Sequence, residues 1–306
     1  MDGATWFISI FVGVIAVIGL GVSFVPVYGR WRAYQQSSYL RLDLPSRLER
    51  AVASRLMARE RGGIIGALVV GGATVLAFST GAIDSDPSTT VLFLIGAVFS
   101  GLGVGTAVAA LTGKKQVPSD RPRVARSGAA SIADYIAPIE RVGARVVVAI
   151  VVAVAVGVAI AAPGSARMLV PTTLFAVAAV LSLALFEVAS RRIVEASQPA
   201  GSTAELVWDD AIRSSVIRDL VTAPLALAVY GTVFGVAALA EQSIGAAAVA
   251  GYVGMGLVLA GLAVTLLASL VSRPRRYFLT RLWPNLRWSD TAESTAEAAA
   301  PAADAV

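Results

Sequence analysis

Asp209 and Asp210, with Glu205 one helical turn before them and Arg213 one turn after, form an acidic cluster with a single arginine. Carboxylates this close could coordinate a hard metal ion through oxygen. On a helix, however, Asp209 and Arg213 stand at i,i+4 and Asp210 is three residues from Arg213, so solvated ion pairing is the simpler chemistry. Glu187 is the carboxylate nearest an apolar run and could carry a coupled proton. Its position three residues before Ser190 and near Arg191 instead reads as an interfacial carboxylate with water or an arginine in reach.

Other patterns fail on spacing. Gly113-Lys114-Lys115 looks like the end of a phosphate-binding loop, but residue 115 is not Ser or Thr and residue 108 is Val, so no nucleotide binding is expected. There is no Gly-x-Ser-x-Gly elbow. The absence of Cys and His removes disulfides, thiolate catalysis, Cys/His zinc sites, histidine-ligated haem and a Ser-His-Asp triad. Arginines and aromatics interleave between Arg273 and Trp288, as in grooves that bind single-stranded nucleic acid. Directly after an apolar run, that segment is expected on the anionic inner leaflet, with no nucleic acid involved. No catalytic residue, cofactor or metal is assigned, and the chain is read as not an enzyme.

The elements that carry these residues are apolar. The chain is 57% hydrophobic and 15% charged, against roughly 25% charged in a soluble domain. Seven runs are long enough to cross ~30 Å of hydrocarbon: 5–27, 63–82, 90–112, 146–162, 168–189, 221–240 and 245–271. Their backbone groups must bond internally in a bilayer, so even the Val-rich run at 146–160 is expected to be helical. The fold class is therefore an all-α, polytopic integral membrane bundle, a single transmembrane domain over 1–288. Residues 289–306, Ala-rich and acidic, are expected to be a disordered tail.

Charge sets the expected orientation. All of the 25 Lys and Arg except Arg167 fall in segments 28–62, 113–145, 190–220 and the tail, while Asp2, Asp84, Asp86 and Glu241 lie on the other side. The positive-inside rule then places the N-terminus outside and the C-terminus in the cytoplasm. An acidic start and a long apolar run mark the first span as a retained anchor rather than a signal peptide. The paucity of lysine with abundant Ala, Gly and Val suggests a GC-rich bacterial source, and hence the inner (cytoplasmic) membrane.

Before three of the span pairs, amphipathic helices are expected. Ser46/Glu49, Ser131/Asp134 and Ser202/Glu205 are capping signatures. The apolar stripes are Leu44, Leu48, Val52 and Leu56; Ile132, Tyr135, Ile136 and Ile139; and Trp208, Ile212, Val216 and Leu220. Arg47, Arg50 and Arg55 suggest that the first helix lies in the headgroup plane, although all three also fit lead-in turns of the following spans. Pro138 should kink or end the second.

Within the spans, Gly101-Leu-Gly103-Val-Gly105 could unwind around a substrate. Ala97, Gly101, Gly105 and Ala109 recur every four residues and read better as a close helix contact. Similar stripes through Ala149, Ala153, Gly157 and Ala161, and through Gly256 and Ala260, make Gly157 and Gly256 further packing candidates. Segment 190–220 alone departs from the basic pattern, which makes Trp208, Asp209 and Asp210 candidates for docking a cytoplasmic or membrane protein partner. The expected role is a non-catalytic, permease-like or accessory membrane subunit, with a structural or regulatory scaffold as the alternative and an inner-interface enzyme as a weaker one.

Overall fold

A computed structural model describes residues 3–80, 87–112, 129–161, 166–198, 200–244 and 276–284. The described residues form helices α1 (Gly3–Val22), α2 (Pro26–Leu40), α3 (Ser46–Ser79), α4 (Pro87–Thr112), α5 (Ile132–Tyr135), α6 (Pro138–Ala161), α7 (Ala166–Glu195), α8 (Thr203–Ile244) and α9 (Tyr277–Leu282). No strand is found among them. Five helical segments are long and apolar enough to cross a membrane: Ser46–Ser79, Phe93–Thr112, Pro138–Ala161, Leu169–Glu195 and Thr203–Leu239. They overlap most of each of the expected spans 63–82, 90–112, 146–162, 168–189 and 221–240. The expected span 245–271, with Gly256, and the tail 289–306 lie outside the described residues.

The first expected span, 5–27, is corrected. Helix α1 ends at Val22, and α2 starts afresh at Pro26. A proline lacks the N–H that would continue the ladder and pushes the preceding residue out of the helical region. Val25 is accordingly extended, at φ −78° and ψ 117°. Helix α2 itself falls in a segment expected to be a loop. It closes on Arg41 in the left-handed region, φ 52° and ψ 44°, with the Arg41 and Leu42 amides bonded back to Ser38 and Ser37 carbonyls.

Two of the three amphipathic stretches run without interruption into the spans behind them. Leu48, Val52 and Leu56 of α3 are buried in the bundle core with Trp208, Ile212, Val216 and Leu220 of α8. These stripes bury against protein, which favours the lead-in reading over a helix floating on headgroups. At 1.5 Å per residue α8 is about 63 Å long, roughly twice the hydrocarbon thickness. Pro171 and Pro224 are carried inside α7 and α8 without ending them. The middle stretch does break: Ile136 is extended at φ −131° and ψ 136°, and α6 restarts at Pro138. That restart resets the helical phase and turns Ile139 outward, 73% exposed, against its expected place on the apolar stripe.

The closest crossing is α3 on α4. A Cβ added at Gly66 or Gly101 would overlap the carbonyl oxygen of the other, and one at Gly105 would overlap that of Gly62. Gly101 and Gly105 thus face Gly66 and Gly62 of α3 across this crossing. Gly157 is different, with nothing within 4 Å of its Cβ position. On α6 the buried face runs through Ala144, Val148, Val151, Ala155 and Val158, so the stripe through Ala149, Ala153 and Gly157 faces away from the described bundle. Glycines that the sequence did not single out pack closely instead. A Cβ added at Gly231 would lie 2.6 Å from Val151 Cγ2 and 2.8 Å from Phe175 Cβ, and one at Gly235 would overlap Val154 Cγ1. Phe175 stacks on Phe234 and touches Phe93, which joins α4, α7 and α8 through one aromatic column.

Candidate functional site

The apolar stretches 64–79, 93–112, 146–161, 168–186 and 220–239 contain no Asp, Glu, Lys or Arg. Charged groups gather beyond one end of the bundle, where the first turns of α8 are enclosed by α3, α5, the end of α7 and α9. Every residue from Leu206 to Ser214 is buried. A helix buried on all sides normally presents apolar residues all round, yet this one carries Asp209, Asp210 and Arg213. Buried charges persist only when paired and hydrogen-bonded.

The pairing is thorough. Asp209 accepts from Arg55 Nη2 at 2.6 Å, Arg213 Nε at 2.9 Å and Gln198 Nε2 at 2.9 Å. Asp210 accepts from Tyr135 Oη at 2.8 Å, Gln198 Nε2 at 2.7 Å and Trp283 Nε1 at 2.9 Å. The two Gln198 amide protons thus bridge adjacent carboxylates. Arg213 spends its remaining donors on the end of α7: Nη1 on the Ile193 and Val194 carbonyls at 2.7 and 3.1 Å, Nη2 on those of Ala196 and Ser197 at 2.8 and 3.1 Å. A guanidinium has five N–H groups, and each finds an acceptor. A cation at a helix C-terminus also complements the negative end of the helix dipole.

These contacts correct the solvated ion pairing expected for Asp209 and Arg213: both side chains are 6% exposed. Trp208, Asp209 and Asp210, singled out for docking because their segment departs from the basic pattern, are all buried. Trp208 is buried with its Nε1 on the Asp43 carbonyl at 2.9 Å. Arg55, expected on a headgroup face, is the Asp209 partner. The described part of the Arg273–Trp288 segment does not simply lie on a leaflet either, since Phe278 is fully buried and Trp283 reaches Asp210.

Further pairs tie the remaining elements. Arg59 of α3 donates to Asp219 at 2.6 Å and Ser215 at 2.7 Å; Arg145 of α6 donates to Glu187 at 2.9 Å; Arg218 faces Glu140 at 3.4 Å. Glu187 therefore has the arginine partner that its interfacial reading called for, from α6 rather than from Arg191. Ser131 and Asp134 form the capping box of α5, while α3 starts on Pro45 without a side-chain cap. Tyr28 donates to Glu60 at 2.8 Å; burial, then this carboxylate neighbour, raise its pKa above the ordinary 10.0.

Chemically the cluster is a joint. Among the described residues no three carboxylates gather as a metal-ligand set. Glu205 is turned away to the Gly201 amide at 2.6 Å. The signals missed in the sequence were the distant partners Arg55, Tyr135, Gln198 and Trp283, none of which shares a local pattern with α8. No protein-family model, curated protein or solved structure matches this chain.

Proposed function

We propose that the chain is a non-catalytic, multi-pass protein of the bacterial cytoplasmic membrane, acting as a permease-like or accessory subunit beside a cytoplasmic protein. The observation that supports this most is the division of labour among its ionisable groups. The apolar stretches 64–79, 93–112, 146–161, 168–186 and 220–239 hold none, and Asp209, Asp210, Asp219 and Glu187 beyond them are engaged in joints between helices. Those stretches offer no ionisable side chain to carry a coupled proton. The protein therefore depends on another chain for energy or signal. Exhausting Asp209, Asp210 and Glu187 on structural bonds also weighs against a hydrolytic site at the inner interface.

The same joints favour a second reading, a structural or regulatory scaffold, because they hold the extramembrane ends of α3, α7 and α8 as one unit. Affinity purification from native membranes in mild detergent tests both. A stoichiometric nucleotide-hydrolysing partner supports the permease reading, and a non-enzymatic partner the scaffold. A chain that purifies alone from cross-linked cells contradicts both.

A further inference from the structure

A groove of about 780 Å³ opens where α1 gives way to α2 and both lie against α3. Ligand sites commonly span ~300–1,000 Å³. Its floor is apolar: Gly29 of α2 comes so close to α3 that a Cβ there would sit 3.2 Å from Met57 Cγ. Its rim is basic. Arg30, Arg47, Arg50 and Arg61 line it against a single carboxylate, Glu49. Residues 47, 50, 54, 57 and 61 follow i+3/i+4 spacing, so one face of α3 supplies three of the arginines over about 21 Å.

These arginines differ from those that tie helix to helix. Arg55, Arg59, Arg145 and Arg213 each meet a carboxylate within 3 Å. Among the described residues, Arg61 has a buried Nε with no hydrogen-bond partner, and its guanidinium carbon lies 4.5 Å from the centre of the Phe24 ring. Glu49 is already taken by Tyr34 at 3.0 Å and, more distantly, by Arg30 at 3.7 Å. The groove therefore holds uncompensated positive charge with spare donors, which is complementary to a phosphate.

Its level and lip point to the source of that phosphate. The charge-free run of α3 begins just after Arg61, and the run that contains α1 ends at Gly29, before Arg30, so the groove sits at the charged edge of both apolar stretches. Phe24, Val25 and Val27 stand exposed there, continuous with the exposed Val14, Val17 and Ile18 of α1. A soluble anion has no use for that lip, whereas a lipid would lay its chains along it. We propose that this groove binds the headgroup phosphate of an anionic phospholipid, with Arg61 and Arg50 as principal contacts and acyl chains along α1. The proposal rests on the membrane reading above.

The test is native mass spectrometry of the full chain in detergent, titrated with phosphatidylglycerol or phosphatidylcholine. Phosphatidylglycerol should be retained preferentially. Arg50→Ala and Arg61→Ala should each lower its retention about fivefold, the scale for one basic residue near an anionic membrane surface. Arg61→Lys should keep part of it, and Arg191→Ala, at an exposed position on α7, should change nothing. Arg50 is exposed, so its replacement should leave the melting temperature intact and serves if Arg61→Ala does not fold. Equal retention of the two lipids, or of wild type and both groove variants, overturns the proposal. Displacement of phosphatidylglycerol by millimolar inorganic phosphate assigns the groove to a soluble anion and overturns it too. A chain that stays soluble without detergent refutes the membrane reading itself; a detergent-dependent chain with no lipid preference refutes the lipid site alone.

Discussion

Replacing Arg213 by methionine should destabilise the protein more than removing any other single arginine of the α8 joint. The side chain keeps its length and apolar stem but loses five donors. Breaking a buried ion pair by removing one partner costs ~3–5 kcal/mol. Two features place Arg213 near the lower end. Asp209 retains Arg55 and Gln198, and the Ala196 and Ser197 carbonyls belong to exposed residues that water can reach. The buried end of α7 at Ile193 has no such relief. A loss of about 3 kcal/mol in a chain this large corresponds to a Tm fall of roughly 6–12 °C. Arg213→Lys keeps the charge but not the planar fork, so it should recover less than half of that. Arg55→Ala, at a side chain 37% exposed, should cost about 1 kcal/mol. Thermal unfolding in detergent, followed by intrinsic tryptophan fluorescence to which Trp208 and Trp283 of the joint contribute, reads all three. An Arg213→Met protein melting within about 2 °C of wild type would refute the capping argument.

Glycines give a paired prediction in the same assay. Gly101→Ala meets the Gly66 backbone and should destabilise by about 1–3 kcal/mol, whereas Gly157→Ala meets nothing and should be neutral or gain up to ~1 kcal/mol from helix propensity. Equal melting temperatures for the two variants would contradict the α3–α4 crossing. Arg41→Gly removes a left-handed non-glycine cap and should stabilise by about 1 kcal/mol; a lower Tm would show that Arg41 makes a contact worth more than the strain.

What the sequence revealed follows from how local each signal is. Runs without charge are a one-dimensional signal, and the five described helices long and apolar enough to cross a membrane fall on them. The α1 break was hidden because hydropathy continues through Phe24, Val25 and Val27, although Pro26 carried the mark of it. Small residues every four positions say that a helix can be approached closely but not from which side. Gly101 found Gly66, while on α6 the buried side is fixed by Val148, Val151 and Val158. Burial of Asp209 was not legible, since its Arg55 partner lies 154 residues away and the local Arg213 supplied a sufficient surface explanation. An acidic helix preceding a span looks solvated until the elements that enclose it are known.

The central claim is a multi-pass membrane chain whose arginine-rich end, with the α8 joint, faces the cytoplasm. Because the chain has no cysteine, single-cysteine variants report topology without background. Ser85→Cys should react with a membrane-impermeant maleimide in intact cells, while Ser38→Cys and Arg192→Cys should react only in inverted vesicles. Labelling of Arg192→Cys in intact cells, or protection of Ser85→Cys there with reaction in inverted vesicles, would contradict the orientation and the cytoplasmic partnership built on it.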